Sequence, residues 1–516
     1  MQALKELVYI ITRNKIRAIG HTAFLFSKDP KLKILYDGVN QGLFQTDEDA
    51  ARAIFETGQP DSNYRKLKAK LIRRLTNALF FIDLKKSSYT DRQRAYQECH
   101  KNWAAVKILL GENAREAGID LSKKILSQAE KYEFTHLCME IARTLRMHYG
   151  ATLGTKKEYS FYKGLYNKYF ELYSLEGLAE EYYAEVMTQQ ADTKISPVEI
   201  GNQAKAFYQE LLPALEKYDT HDLLLYTTLL RFISQTSTQN YSAAFQICNQ
   251  AITSFEQKPF VARMPLQVFQ YQKVVCLIQL RQTSEKDFTD LIAQKPTFLK
   301  EGTYNWYRFQ EAYIILGLHT RHYQKAYELF LYGIAHKRFE FLPAEQQEYW
   351  RILEAYLFYL QEIGEIMPTE EQSKSSKFRL GKFLNQTPIS AKDKRGMNVA
   401  IIIIEIIFLI NQKKWSKTLD KVEGIEQYCS RYLHKADTIR SYYFIKMLLT
   451  LPKNDLHKEA VTRKSAHYLK NLQEHSLEIG NQSFFVEIIL FEDFWNMILE
   501  NLDNKFVRIS KKTHKV

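Results

Sequence analysis

Residues 309–341 most limit what this chain can fold into, because they combine two short helical patterns across a polar break. Their apolar side chains recur at intervals of three and four residues, which places them on one face of a helix. They are Phe309, Ala312, Tyr313 and Leu316 before the break, and Tyr323, Ala326, Tyr327, Phe330 and Ile334 after it. Helices this short are marginal alone in water, so both must bury these faces against neighbours. The segment predicts a helical hairpin that stacks on others.

The chain as a whole has the composition of a helical protein. Only 19 glycines and 11 prolines occur in 516 residues. Lys, Glu, Gln, Leu and Ala, which favour helices, fill most positions between the apolar stripes. The alternation that indicates β-strands is hard to find. We therefore predict an all-α fold of stacked antiparallel helical hairpins, an α-solenoid.

Shifts in the pattern predict four segments. Residues 1–88 form an N-terminal helical subdomain with a basic amphipathic helix, and residues 89–366 contain the repeated hairpins. Residues 367–397 form a basic linker or loop, and residues 398–516 form a C-terminal helical block. Within the repeats, two second helices begin alike at Tyr241 and Tyr323. They lie about 80 residues apart. This spacing is the length of two repeats of roughly 40 residues each, with two helices in each repeat.

The second helices also share an order of aromatic and small residues. The matching positions are Tyr241, Ala244, Cys248 and Ala251 in one helix, and Tyr323, Ala326, Phe330 and Gly333 in the other. This order resembles the second helix of a tetratricopeptide repeat. The first helices depart from that family, with Phe232 and Ile314 where it has a small residue, and the closing prolines are missing. The resemblance covers residues 89–366 and implies a curved helical stack that binds proteins or peptides without chemistry of its own.

Cysteines and apolar runs indicate a cytoplasmic protein without a membrane span. The cysteines are Cys99, Cys138, Cys248, Cys276 and Cys429, an odd number in apolar helical contexts without a C-x-x-C motif. This pattern predicts buried thiols in a reducing compartment. The apolar run at residues 7–11 is too short for a signal peptide. The run at residues 399–410 contains Glu405 and is shorter than the roughly 20 residues of a membrane span, so it predicts a buried helix.

Motifs for catalysis are missing from the sequence, so we expect no enzyme and no cofactor. None of the phosphate-loop, dinucleotide-binding, zinc-protease or serine-hydrolase patterns occurs. Acid pairs such as Glu180 and Glu181 are expected to be solvated. His319 and His322 are one helical turn apart, a spacing that can hold a metal, but no third ligand is near in the sequence. We predict no metal site there.

A basic helix predicted at residues 63–84 is the sharpest candidate for a contact site. Its candidate contact residues are Arg65, Lys66, Lys70, Arg73 and Arg74, opposite a stripe of leucines spaced by four. The helix follows another predicted at residues 47–56, with Thr46 as N-cap, across a glycine-containing turn. This order loosely resembles a helix-turn-helix unit that binds DNA. The alternative is a helix that packs through its leucines and leaves the basic face solvated.

Two further segments combine bases with other signals. The loop at residues 367–397 has seven bases that could contact an acidic partner, or it could be a solvated linker. These bases are Lys374, Lys377, Arg379, Lys382, Lys392, Lys394 and Arg395. A tyrosine stripe interleaved with Lys163 and Lys168 could stack nucleobases, but its helical spacing favours core packing. Its members are Tyr159, Tyr162, Tyr166 and Tyr169.

Three functional hypotheses follow from these features. The net charge of +13 favours acidic partners. The first hypothesis is a non-enzymatic cytosolic scaffold or adaptor that binds a protein or peptide through the concave face of its hairpins. The second is a nucleic-acid-associated regulator that contacts DNA or RNA through the basic helix. The third is an enzyme whose site is assembled from distant residues. The sequence does not predict the oligomeric state.

Overall fold

The computed structural model describes residues 1–13, 29–82, 90–191, 195–281, 285–293, 299–369, 378–387, 397–432, 439–475, 477 and 487–502. Throughout these residues the regular elements are helices and no strand occurs, so the predicted all-α class is confirmed. The α-helices are α1 Gln2–Arg13, α2 Pro30–Asn40, α3 Asp47–Phe55, α4 Ser62–Leu79, α5 Asp91–Gly111, α6 Arg115–Lys131, α7 Thr135–Met147, α8 Lys156–Ala191, α9 Pro197–Lys217, α10 His221–Thr236, α11 Tyr241–Glu256, α12 Arg263–Leu280, α13 Glu285–Ala293, α14 Tyr304–His319, α15 Tyr323–Ala335, α16 Ala344–Glu362, α17 Leu380–Gln386, α18 Met397–Asn411, α19 Trp415–Tyr432, α20 Ile439–Leu448, α21 Thr450–Lys453, α22 Lys458–Gln473 and α23 Phe491–Glu500.

The chain forms two compact units. The first contains residues 1–174 together with 259–261, and the second contains residues 175–258 together with 262–516. The four segment boundaries expected from the sequence stay predictions. None of the described helices combines the length and the apolar character needed to cross a lipid bilayer.

Helices α1 to α4 enclose a small core at the start of the first unit. Leu4 of α1, Leu32 of α2, Ala50 of α3 and Leu71 of α4 are fully buried in it. Helix α3 begins at the predicted N-cap, Thr46. The Thr46 hydroxyl accepts a hydrogen bond from the backbone N–H of Asp49, and the Thr46 backbone N–H donates to the Asp49 carboxylate. This reciprocal capping box satisfies backbone N–H groups that a helix start would otherwise leave unpaired. Further along the first unit, α5 to α7 pack in sequence order, each against the next, and the unit also contains residues 156–174 of α8.

In the second unit, α9 to α12 also pack consecutively, and the predicted hairpin forms as α14 and α15. The start of α9 follows the sequence too, with Ser196 as N-cap and Pro197 as the first helical residue. At the α14–α15 turn, a Cβ on Gly317 would lie 3.1 Å from the Cβ of Ala326. The hairpin therefore closes tightly because both positions are small.

The apolar run at residues 399–410 forms the buried helix α18, as predicted. Its single acid, Glu405, pairs with Lys421 of α19, with Oε1 and Nζ 2.9 Å apart. The C-terminal helix α23 joins the same core through Phe494, which stacks on Tyr356 and meets Tyr359 edge-on. One continuous core therefore joins the later hairpins to the C-terminal helices. Four of the cysteines, Cys99, Cys138, Cys248 and Cys276, are buried free thiols, and nothing is described for the side chain of Cys429.

Candidate functional site

The predicted basic helix is present as α4, and it ends at Leu79 rather than at residue 84. Asp61 caps its start and accepts a hydrogen bond from the backbone nitrogen of Tyr64 at 2.8 Å. Its buried residues are Tyr64, Leu67, Leu71, Leu75 and Ala78. These side chains anchor α4 in the core of the N-terminal subdomain, so the opposite side of the helix faces outward.

Two lysines of α4 are paired with acids of the same subdomain. Lys68 Nζ lies 2.8 Å from Asp47 Oδ1, and the Tyr64 hydroxyl donates to that oxygen at 2.6 Å. Burial opposes the ionisation of Asp47, but the hydrogen bonds from Lys68 and Tyr64 outweigh it and lower its pKa to about 2. Lys70 Nζ lies 2.8 Å from Asp29 Oδ2, and this hydrogen bond lowers the pKa of Asp29. Lys70, a candidate contact residue, is therefore already neutralised within the chain.

The five candidate bases of α4 do not share one face. At about 100° per residue, Lys66, Lys70, Arg73 and Arg74 fall on one stripe, whereas Arg65 falls on another flank. Lys66 and Arg73 are exposed, and Lys70 and Arg74 are half-buried. The structure thus concentrates the accessible charge of the stripe on Lys66 and Arg73, about two helical turns apart.

The described part of the basic loop is anchored by aromatic packing. Phe378 stacks on Phe408 with ring centroids 5.3 Å apart, and Phe383 of α17 is buried beside it. Arg379 and Lys382 are exposed. Burial raises the pKa of Glu354, and the charge of Lys382 opposes that increase. The other candidate bases, Lys374, Lys377, Lys392, Lys394 and Arg395, lie outside the described residues.

The tyrosine stripe of α8 divides between core and surface. Tyr169 is buried, and its hydroxyl donates to Glu130 Oε1 at 3.0 Å. Tyr162 is half-buried and stacks on Tyr149, with centroids 5.4 Å apart and an interplanar angle of 9°. Tyr159 is exposed. The core-packing interpretation therefore holds for Tyr169 and in part for Tyr162, but not for the whole stripe.

A buried ionic network surrounds Arg440 of α20, whose side chain is 0% exposed. Its Nε and Nη2 donate to the two oxygens of Glu487 at 2.9 and 2.7 Å, and Nη2 also donates to Glu492 Oε2 at 2.6 Å. Nη1 donates to the carbonyls of Leu472 and His475 at 2.7 and 3.1 Å. The network therefore ties α20 and the end of α22 to the start of α23.

The two histidines of the α14–α15 turn lie in different surroundings. His319 is buried, and its Nε2 lies 2.6 Å from the carbonyl oxygen of Glu487, which makes Nε2 the donor. Burial lowers the pKa of His319 to about 4. His322 instead stacks on Phe288 and bonds through Nδ1 to the hydroxyl of Thr320 at 2.7 Å. In the part of the chain that the structure describes, no three His, Cys, Asp or Glu side chains converge to hold a metal.

Glu311 of α14 forms a second buried polar centre. Its Oε1 accepts hydrogen bonds from Trp350 Nε1 at 2.7 Å and from Gln346 Nε2 at 2.8 Å. Arg308 Nη1 lies 2.6 Å from the other oxygen. Burial raises the pKa of Glu311, and Arg308 is the main influence against that rise. Because both oxygens are engaged, this carboxylate fastens α14 to α16.

The Arg440 and Glu311 centres were not predicted from the sequence. Their members come from separate helices, and Arg440 and Glu487 are 47 positions apart in the chain. The one available signal was a charged residue on a helix that is apolar on several sides, such as Glu311, which shares its side of the helix with Tyr307, Ile314 and Leu318. That signal marks a buried charge but does not identify its partner.

Comparison with known proteins gives no further assignment. No protein-family model matches the chain, and no curated protein or solved structure matches it either. The tetratricopeptide resemblance consequently has no matching relative to support it and depends on the repeat residues. The structure adds to it the packing of consecutive helices as neighbours.

Proposed function

We propose that this chain is a non-enzymatic helical-repeat scaffold or adaptor of diverged tetratricopeptide type, which binds a protein or peptide through its hairpin stack. The observation that carries the proposal is the consecutive packing of helices in the stack. Stacked helical repeats provide extended surfaces on which partners bind. The buried carboxylates of Glu311 and Glu487 also support it, because internal partners occupy the oxygens of both.

Close packing at the small positions of the repeat supports the tetratricopeptide type. Ala244 and Ala326, which occupy the same position in their helices, are both fully buried. Gly333 of α15 lies against the next helix, where an added Cβ would come within 2.2 Å of Trp350 Cη2. Small residues in the second helix thus allow the neighbouring helices to approach, as the resemblance implies.

Three exposed aromatic side chains of the α14–α15 hairpin and the segment after it, Tyr304, Tyr332 and Phe341, are the candidate contacts for a partner, and we call them the aromatic rim. All three side chains are exposed, and Phe341 is 83% exposed. The start of α14 and the end of α15 meet here, since the Tyr332 hydroxyl donates to Glu301 Oε1 at 2.6 Å and its ring meets Trp306 edge-on. Exposed aromatic side chains are enriched in protein interfaces. The rim is therefore the surface of the hairpin stack to test first.

Affinity capture with the full chain tests this proposal. The wild-type chain should retain a partner in stoichiometric amounts, and a variant with Tyr304, Tyr332 and Phe341 each changed to Asp should lose it. Tyr9→Asp is the matched control, because Tyr9 is 61% exposed and lies on α1. Failure of the wild-type chain to retain any stoichiometric protein would contradict the scaffold proposal. Equal retention by the rim variant would place the contact elsewhere on the stack.

Nucleic-acid binding through α4 is the second candidate function. It is favoured by the exposure of Lys66 and Arg73 on one stripe, opposite the face that anchors the helix. Two bases aligned in this way can each neutralise a phosphate of a DNA duplex. The capped helix α3 precedes α4, so the order of the two helices is that of a helix-turn-helix unit.

Duplex binding at low salt tests the second candidate. Lys66→Glu with Arg73→Glu should abolish it, whereas Arg65→Glu should weaken it much less, because Arg65 lies on a different flank of α4. Lys66→Ala with Arg73→Ala removes the two phosphate contacts without adding repelling charges, so it should leave weaker but measurable binding and reduce the slope of log K against log salt concentration by roughly 2. Equal effects of the stripe variant and the Arg65 variant would contradict a contact centred on this stripe.

A further inference from the structure

One face of α8 presents aromatic rings to solvent. Tyr159, Lys163, Tyr166, Phe170 and Tyr173 recur at intervals of four and three residues, so they share one side of the helix. Phe170 is 53% exposed and Tyr173 is 47% exposed. Exposed rings at successive turns have no role in the core of the first unit. We define these five residues as the α8 ring face.

The ring face continues a stack that begins on α7. The guanidinium of Arg146 lies 4.2 Å from the centroid of the Tyr166 ring. Tyr166 in turn stacks on Phe170, with centroids 5.9 Å apart and an interplanar angle of 24°. This ladder of a cation and two rings ends at a ring that is half open to solvent. A further planar group can therefore stack on Phe170.

A second ladder in the same unit shows the contrast. Lys123 Nζ lies 5.5 Å from the Tyr149 centroid, and Tyr149 stacks on Tyr162. Tyr162 is half-buried and meets the Phe161 ring edge-on, so the ring of Tyr162 is less open to solvent than that of Phe170. The ladder that ends at Phe170 is therefore distinguished by its exposed last ring.

The ring face carries one charge, the positive charge of Lys163, while the exposed carboxylate of Glu171 lies on another flank of α8. Lys163 lies within the stripe and is exposed, and Arg143 is exposed one turn before Arg146 on α7. The stripe from Tyr159 to Tyr173 contains no carboxylate. Rings at successive turns beside free cations are the arrangement that holds single-stranded nucleic acids, where bases stack on the rings and phosphates meet the cations. We propose that the α8 ring face binds single-stranded nucleic acid, with bases on Phe170 and Tyr173 and phosphates at Lys163 and Arg143.

The spacing of four and three is also that of a coiled-coil seam, so a helix is the competing occupant. Such seams favour branched aliphatic side chains that insert between those of the partner helix. This face has four rings and a lysine instead, and its rings already stack with a guanidinium. Planar bases therefore fit the ring face better than a second helix does.

Fluorescence anisotropy with the full chain tests the proposal, using labelled oligo(dT) and oligo(U) of about 16 nucleotides at low salt. Phe170→Ala and Tyr173→Ala should each weaken binding about tenfold, since one stacked base contributes about that much. Lys163→Glu should also weaken binding, because it replaces a phosphate contact with a repelling charge. Its loss of affinity relative to the wild-type chain should grow as the salt concentration is lowered. Preference for oligo(dT) or oligo(U) then shows whether DNA or RNA is the ligand.

Phe161→Ala is the matched control, because Phe161 is 63% exposed on the same helix but lies on another flank. Its binding should equal that of the wild-type chain, and a loss as large as that of Phe170→Ala would overturn the proposal. Undetectable binding of both oligonucleotides at low salt would overturn it as well. So would binding that survives Phe170→Ala with Tyr173→Ala but is lost in the Lys66 and Arg73 variant, because the contact would then lie on α4. A dimer that these two alanines dissociate, without nucleic-acid binding, would assign the face to a second copy.

Discussion

Arg440 and Glu487 meet at two points inside the second unit, with Nε 2.9 Å from Oε2 and Nη2 2.7 Å from Oε1. Glu487 Oε1 also accepts a hydrogen bond from the backbone nitrogen of Phe491 at 2.7 Å. The pair therefore holds the start of α23 in place as well as linking it to α20. Neither charge has access to water, so each depends on the other for its stability in the folded chain.

Removing one member of this pair should be strongly destabilising. Arg440→Leu leaves the Glu487 carboxylate buried without its partner, and we expect a loss of about 3–5 kcal/mol in the free energy of unfolding. Changing both residues to Leu should cost less than the single change, because no unpaired charge then remains. Urea unfolding, followed by fluorescence of the buried Trp495, measures the loss.

Arg94→Leu is the control for that measurement. Arg94 pairs with Asp91 on the surface of α5, and exposed pairs contribute less than about 1 kcal/mol. An Arg440→Leu variant as stable as the Arg94→Leu variant would contradict the account of the buried network.

The stability of the second unit should fall as the pH falls from about 6.5 to about 4. Burial holds the pKa of His319 at about 4 in the folded chain, and the nearby Arg281 and Arg440 also disfavour its protonation, whereas the Glu487 carbonyl and Glu492 favour it. The unfolded chain takes up a proton below the ordinary histidine pKa of about 6.5, so acid favours unfolding across this interval. Across this interval, the protonation of His319 in the unfolded chain should lower the free energy of unfolding by roughly 3 kcal/mol.

His319→Gln should remove this contribution while keeping a donor for the carbonyl of Glu487. Unfolding by urea at pH 7 and at pH 4.5 should show a smaller difference for this variant than for the wild-type chain. His467→Gln serves as the control, because His467 is exposed on α22. The same pH dependence in all three proteins would contradict the assignment to His319.

Asp47 should stabilise the N-terminal subdomain at pH values above about 3.9, the pKa of an aspartate in the unfolded chain. Its pKa is about 2 in the folded chain, since the hydrogen bonds of Lys68 and Tyr64 outweigh burial. A carboxyl pKa that is lower when folded contributes stability that disappears as the pH falls toward 2. Asp47→Asn should therefore cost about 2 kcal/mol at pH 7. Faster amide hydrogen exchange in α4 would report this loss, and Glu48→Gln, an exposed neighbour, should leave the exchange unchanged.

Local signals in the sequence predicted the helices well, because caps and apolar spacing act within a few residues. Thr46 and Ser196 begin α3 and α9 as expected, and the polar break after residue 318 separates α14 from α15. The surface was harder to predict, because the buried flank of a helix depends on what packs against it. On α8, for example, Tyr169 is buried in the core, whereas Phe170, its neighbour in the chain, is exposed. The partner of a buried charge such as Arg440 depends on tertiary packing, which spacing along the chain does not reveal.

Gly333 should not tolerate a side chain, because α15 and α16 approach each other there. A Cβ at this position would lie 2.2 Å from Trp350 Cη2. The Trp350 ring cannot move aside freely, since its Nε1 donates to the buried carboxylate of Glu311 at 2.7 Å. We expect Gly333→Ala to destabilise the chain by about 1–3 kcal/mol through overpacking, measured by urea unfolding.

Gly164→Ala is the matched control, since Gly164 lies within a helix, α8, where an added Cβ has nothing within 4 Å. Alanine favours the helix over glycine, so this variant should gain roughly 0.5–1 kcal/mol. The two substitutions are chemically identical, but their surroundings differ. We therefore expect them to change the free energy of unfolding in opposite directions. A gain in both variants would mean that α15 and α16 do not pack closely at Gly333, and the close repeat packing that supports the tetratricopeptide type would lose its basis.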